Sequence, residues 1–182
     1  CLAGDTKIRT LSGWKEIKDL VDRDFYVWSY SEKMRRMVPA KAGKCWSVGK
    51  KKTVLVEIDN GNKIRCTANH KFMLRDGTYK EAGKLEPGDS LMPFYKRRAH
   101  KEYLDVYLND GSHGSEHRIV YSWFNGNLKQ DSHIHHLDGN KTNNNPDNLE
   151  QLSKEEHCKI TKPQDGEKIS QSLKEFNSRS RY

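Results

Sequence analysis

Short runs in which apolar and polar positions alternate fill the first half of the chain. Phe25–Ser29, Thr53–Ile58, Lys63–Thr67 and Lys71–Leu74 have the length and the β-branched or aromatic content of strands. Asn60-Gly61 and Asp76-Gly77 punctuate them and predict hairpin turns. Residues 1–95 therefore read as an all-β, twisted, pseudo-symmetric sheet. Lys96-Arg97-Arg98 is the expected junction to a second part. Residues 101–108 predict a strand, Asp110–Gly114 a loop, and residues 117–124 a helix. Ile134 opens another strand, Asp138-Gly139 signals a turn, and Leu149–Leu152 returns as the second strand of a long-looped hairpin. Ser153-Lys154-Glu155-Glu156 is a capping box that starts a helix at Lys154, and Pro163 stops it. Glu167–Phe176 predicts a short amphipathic helix with Ile169, Leu173 and Phe176 on one face. Trp14, Trp28, Trp46 and Trp123 are expected in the core or at contacts between the two parts.

The predicted strand–strand–helix unit concentrates the chemistry. His135 and His136 are adjacent, Asn148 follows His136 by twelve residues and His157 follows it by twenty-one. An imidazole titrates near neutrality, so His136 can take a proton from an attacking water. Successive strand residues face opposite ways, so His135 can bind a metal while its neighbour meets water. His157 on the helix would be the second protein ligand, and the three histidines would surround one hollow. The Asn148 side chain would hold the orientation of His136. A divalent cation there would act as a Lewis acid on phosphate, and two protein ligands leave room for water and phosphate, which suits Mg²⁺. These positions, with the neighbouring runs His117–Phe124 and Asp138–Leu149, resemble an HNH nuclease of the ββα-metal class, in its phage homing-endonuclease form. The resemblance implies an α+β nuclease domain that cleaves double-stranded DNA, with His136 and Asn148 catalytic and His135 and His157 on the metal.

A second pattern lies at the other end. Cys1 opens the chain in Cys1-Leu2-Ala3-Gly4-Asp5-Thr6-Lys7-Ile8, and Thr67-Ala68-Asn69-His70 follows. A thiol can attack the carbonyl of the residue before it, given a donor for the oxyanion and a proton for the departing nitrogen. Thr67 and His70 are candidates for these tasks. Together with Gly13–Leu20 and Lys80–Met92, these residues resemble the Hint module, the self-processing fold of inteins and hedgehog proteins. The resemblance implies Cys1 as first splice nucleophile and Thr67 and His70 as its helpers, with no cofactor for splicing. A complete intein of this kind closes on a His-Asn segment, whereas this sequence ends Asn177-Ser178-Arg179-Ser180-Arg181-Tyr182. The resemblance therefore implies an intein's N-terminal part, splicing in trans with a separate C-terminal segment and joining host flanks. The alternative is an HNH nuclease on an inert Hint scaffold. The expected organisation is a Hint splicing segment over 1–98, an HNH domain over 99–162, and a C-terminal helix and tail over 163–182 that contacts DNA.

Composition narrows the setting. Mean hydropathy is −1.00 with 34% hydrophobic residues, so the cores are small. No apolar run reaches the length of a membrane span, and Cys1, Cys45, Cys66 and Cys158 lack a metal-knuckle spacing. A cytoplasmic, reducing setting is expected, since a splice thiol must stay reduced. The net charge of +8 is uneven: residues 1–100 hold 22 Lys/Arg against 12 Asp/Glu, and the remainder 11 against 13. Lys50, Lys51, Lys52, Arg35 and Arg36 are the candidate phosphate contacts for DNA.

Overall fold

The computed structural model describes residues 1–99 and 102–160. The predicted 167–176 helix, the Pro163 stop and the proposed 163–182 tail lie outside the described residues. The chain folds into small antiparallel sheets. The largest is built from β1 (Lys7–Thr10), β2 (Gly13–Glu16), β3 (Phe25–Ser31) and β4 (Arg36–Ala42) in the order β2-β1-β3-β4. β5 (Val54–Glu57) pairs with β6 (Lys63–Cys66), and β7 (Lys71–Met73) with β8 (Tyr79–Glu81). Gly61 and Gly77 hold φ of 79° and 89° in the two connecting turns, which explains why glycine follows Asn60 and Asp76. So the first part is mainly β, as expected, but it is divided into a sheet and two hairpins instead of one pseudo-symmetric sheet.

The second part departs further. Lys96-Arg97-Arg98 is no junction: β9 (Tyr95–Arg98) pairs along its whole length with β10 (Leu104–Tyr107), whose other edge pairs β11 (His113–Ser115). The loop expected over Asp110–Gly114 is therefore a tighter hairpin turn, with Asp110 accepting from the backbone N–H and hydroxyl of Ser112. α1 (Glu116–Asn125) follows at once. β12 (His133–His136) and β13 (Leu149–Leu152) form the long-looped hairpin. A second helix, α2, occupies residues 154–160. Its capping box closes in both directions: Glu156 N donates to Ser153 Oγ at 3.2 Å, and Ser153 N donates to Glu156 Oε2 at 2.9 Å.

The expected boundary at residue 98 does not divide the core. Leu11 and Trp28 from the first sheet are buried in one cluster with Val106, Val120, Ile134 and Leu149. The apolar stripes of β10, α1 and the β12–β13 hairpin each need a partner surface, and the β1–β3 sheet supplies it. Trp28 is the tryptophan in this core, whereas Trp14, Trp46 and Trp123 are exposed. The two parts are therefore expected to unfold together. Leu11→Ala is expected to cost about 2–5 kcal/mol, as buried Leu truncations do. Chemical denaturation followed separately by near-ultraviolet dichroism and by fluorescence should show one shared midpoint, lowered in the variant. Two separate midpoints in the wild type would contradict a shared core.

Candidate functional site

Cys1–Ala3 runs antiparallel to Arg65–Thr67 as a continuation of the β5–β6 hairpin. Ala3 N donates to Arg65 O, and Thr67 N to Cys1 O, each at 2.8 Å, with an isolated bridge between Leu2 and Cys66. This pairing carries the Cys1 amino nitrogen to the Thr67 hydroxyl, 2.6 Å from Oγ1. Asp5 and Arg65 tie the same two segments through a 2.5 Å ion pair. His70 is held by a turn in which its N–H donates to Thr67 O at 2.9 Å, while its own carbonyl accepts from Ala82 N at 2.7 Å. Gly83 N reaches Ala68 O at 2.8 Å, and a Cβ at Gly83 would lie 3.1 Å from that of Ala68, so any side chain there would have to push Ala68 back by a few tenths of an ångström. Burial pushes the His70 pKa down, and the positive charge of the amino terminus adds to the shift. The structure thus brings Cys1, Thr67 and His70 together. Cys66, next to Thr67, is fully buried and its thiol is pushed up by that burial, whereas Cys1 is exposed.

Comparison with known proteins identifies the family of the chain. A model of the intein splicing domain family matches residues 9–176. The chain belongs to that family. It is 42% identical over 122 residues to a DNA gyrase subunit of Synechocystis sp., covering 60% of this chain and 11% of that protein. It is 36% identical over 93 residues to the replicative DNA helicase DnaB of Rhodothermus marinus, covering 50% of this chain and 10% of that protein. This intein domain thus spans about a tenth of the length of the relatives it matches. A solved DnaB intein from Synechocystis sp. is 25% identical, with 63% of this chain and 78% of that chain covered and a TM-score of 0.46.

The intein domain also carries the histidine hairpin. On β12 the side chains alternate as the strand geometry demands. His133 and His135 face the helix side, where the His157 ring stacks on His133 at 4.9 Å between centroids and meets His135 edge-on at 5.6 Å. Ile134 and His136 face inward and are buried. The expected single hollow of His135, His136 and His157 is therefore not formed: a period of two sends His136 to the core and its neighbours out. Burial holds the pKa of His136 below the ordinary value, while its bond to Asn144 works against that shift.

Asn148 does not touch His136 as expected. Its amide accepts from Asp138 N at 3.1 Å and donates to Asp138 Oδ1 and Asn143 O at 2.9 and 2.8 Å, so it fastens the loop to itself. The partner of His136 is Asn144, whose Oδ1 lies 2.9 Å from Nε2. Asn144 Nδ2 donates to Glu116 Oε2 at 2.9 Å, and Glu116 Oε1 accepts from Trp28 Nε1 at 2.7 Å and from Lys96. Tyr103 and His117 complete the surroundings, with the His117 ring 5.4 Å from that of His136. Desolvation lowers the His117 pKa to about 4. Sequence reasoning missed Asn144 and Glu116. The run Asn143-Asn144-Asn145 was the available signal, but it does not say which asparagine turns inward.

Lys50, Lys51 and Lys52 are exposed on the loop between β4 and β5. Arg35 and Arg36 are elsewhere, at the β3–β4 turn. There Arg35 takes a φ of 52°, and its carbonyl accepts from Asn109 Nδ2 at 3.1 Å. Among the described residues no helix is long and apolar enough to cross a membrane. The role of Asn148 leads to a test. Asn148→Ala should speed amide exchange at Asp138, measured by hydrogen–deuterium exchange, and leave the amide of Asn144, bonded to Leu11 O at 2.8 Å, protected.

Proposed function

We propose that this intein domain performs the first step of protein splicing at Cys1, and the observation that carries the reading is the 2.6 Å contact between the Cys1 nitrogen and Thr67 Oγ1. With a host residue joined to that nitrogen, the Cys1 thiol attacks the host carbonyl carbon. The C–S bond forms, the C–N bond breaks, and the thiol proton ends on the released amine. Thr67 holds the nitrogen that leaves. His70, kept neutral by burial, takes the thiol proton and passes it to that nitrogen. The later steps need a C-terminal splicing segment, which we propose is supplied as a separate chain, and the two host flanks are the parts joined. The test is a fusion bearing a host segment before Cys1. Added thiol should release the host segment from the wild type. Cys1→Ala should abolish release, and His70→Ala should slow it by about 10²–10⁴-fold. A folded wild-type fusion that thiol never cleaves would leave the domain an inert scaffold.

A second reading is favoured by the β12–β13–α2 order and by the meeting of His135 and His157. We propose that this unit is an HNH nuclease module that cuts double-stranded DNA, with Lys50, Lys51, Lys52, Arg35 and Arg36 meeting phosphates. The donor set bears on the metal. An imidazole nitrogen lies about 2 Å from a bound metal, which puts two ring centroids roughly 5–6 Å apart around one ion. The 5.6 Å separation of His135 and His157 fits that spacing. Among the described residues no three His, Cys, Asp or Glu side chains form a metal-holding group, so water and phosphate would complete the shell. A pair of imidazoles also suits Zn²⁺ or Ni²⁺ better than the Mg²⁺ expected from the sequence. Such an ion would supply Lewis-acid stabilisation of the phosphate. His157→Ala should abolish cation-dependent cleavage of a duplex and leave thiol release at Cys1 unchanged. Replacing Lys50, Lys51 and Lys52 by Glu should flatten the dependence of log K on log salt by about 0.9 for each phosphate that is no longer neutralised. An unchanged slope would remove that loop from the DNA interface.

A further inference from the structure

The chain of hydrogen bonds behind His136 has a direction, and the direction fixes which nitrogen of the imidazole carries the proton. It begins at Glu116, which is fully buried. Trp28 Nε1 is a donor only, and so is the Lys96 ammonium. Both reach Glu116 Oε1, which leaves Oε2 as the acceptor facing Asn144. An amide meeting an acceptor must present its NH₂ group, so Asn144 Nδ2 points at Glu116 and Oδ1 points at His136. An amide oxygen can only accept. The ring nitrogen 2.9 Å away, His136 Nε2, must therefore be the protonated one. Neutral imidazole has one N–H, so Nδ1 is left with a free lone pair.

We infer that Asn144, oriented by Glu116, is a positioning residue that locks His136 in its Nε2–H tautomer and so presents Nδ1 as the basic atom. The part of this inference that concerns catalysis rests on the nuclease reading; the tautomer itself does not. No proton is gained or lost along the chain, and each bond runs from a donor to an acceptor in one sense. The lock also crosses from the splicing sheet to the hairpin. Trp28 belongs to β3, Lys96 to β9 and Glu116 to α1, and Asn144 is anchored by its own N–H to Leu11 O at 2.8 Å. Asn148 takes no part in it.

The measurement is a two-bond ¹H–¹⁵N correlation spectrum of the metal-free full chain labelled at histidine, with the His136 signals assigned from their loss in His136→Ala. In the wild type Nε2 should show the shift of a protonated nitrogen and Nδ1 that of a bare one. Finding Nδ1 protonated overturns the inference, and this result needs no variant to fold. In Asn144→Leu, which removes both ends of the amide at similar volume, the fixed Nε2–H pattern should give way to a mixture of tautomers. A folded Asn144→Leu chain with an unchanged pattern overturns it as well. Where the wild type cuts a duplex, Asn144→Leu should lower the cleavage rate by about 10- to 100-fold with DNA affinity unchanged. A wild type that shows the Nε2–H pattern and cuts no DNA supports the lock and sinks the nuclease reading.

Discussion

The described part of the second half of this molecule is organised around one buried carboxylate. Glu116 is 0% exposed, and the Lys96 side chain beside it is 2% exposed. Removing two charges from water carries a large desolvation cost, and mutual attraction repays it only when the remaining donors and acceptors are also satisfied. Here they are: Trp28 and Lys96 fill one oxygen and Asn144 fills the other. A buried polar group left short of partners would destabilise the core by the full cost of its desolvation. The network therefore accepts no half-assembled form. Its members come from β3, β9, α1 and the loop of the β12–β13 hairpin, so all four must arrive together.

That requirement explains why the intein domain does not divide where its two motifs do. An inserted nuclease module could share nothing with its host but two connections. Instead Leu11 and Trp28 pack into the same apolar cluster as Val120, Ile134 and Leu149, and the β3–β4 turn is fastened to Asn109 on the β10–β11 turn. The hairpin is also joined to the strand that leads back to Cys1. β1 ends at Thr10, one residue before the Leu11 carbonyl that receives Asn144, and the segment before β1 is the one paired with Arg65–Thr67.

The two sites are nonetheless built on different physics. The Cys1 site is a surface assembly in which backbone pairing lays Cys1 against Thr67, leaving Cys1 exposed. The histidine hairpin splits its imidazoles between an outer face, where His133, His135 and His157 meet, and an inner face, where His136 is bound into the core. A strand with one residue facing out and the next facing in separates exposed imidazoles from a hydrogen-bonded one without any loop rearrangement.

Local signals were legible in the sequence wherever the physics is local. Alternation and β-branched content marked β3, β5, β6, β7 and β13. Asn-Gly and Asp-Gly marked two hairpin turns that need positive φ, and Ser153 with Glu156 marked the start of α2, because a capping box closes within four residues. The Cys1, Thr67 and His70 pattern likewise named residues that the fold brings together. What the sequence did not disclose is every choice made by packing between distant segments. Lys96-Arg97-Arg98 reads as a charged linker, and only pairing with β10 and the burial of Lys96 on Glu116 make it a strand. Asn144 and Asn148 are chemically the same residue four positions apart. Which of them turns toward His136 is decided by a carboxylate twenty-eight residues earlier in the chain, and that carboxylate is in place only when the splicing sheet brings Trp28 to meet it.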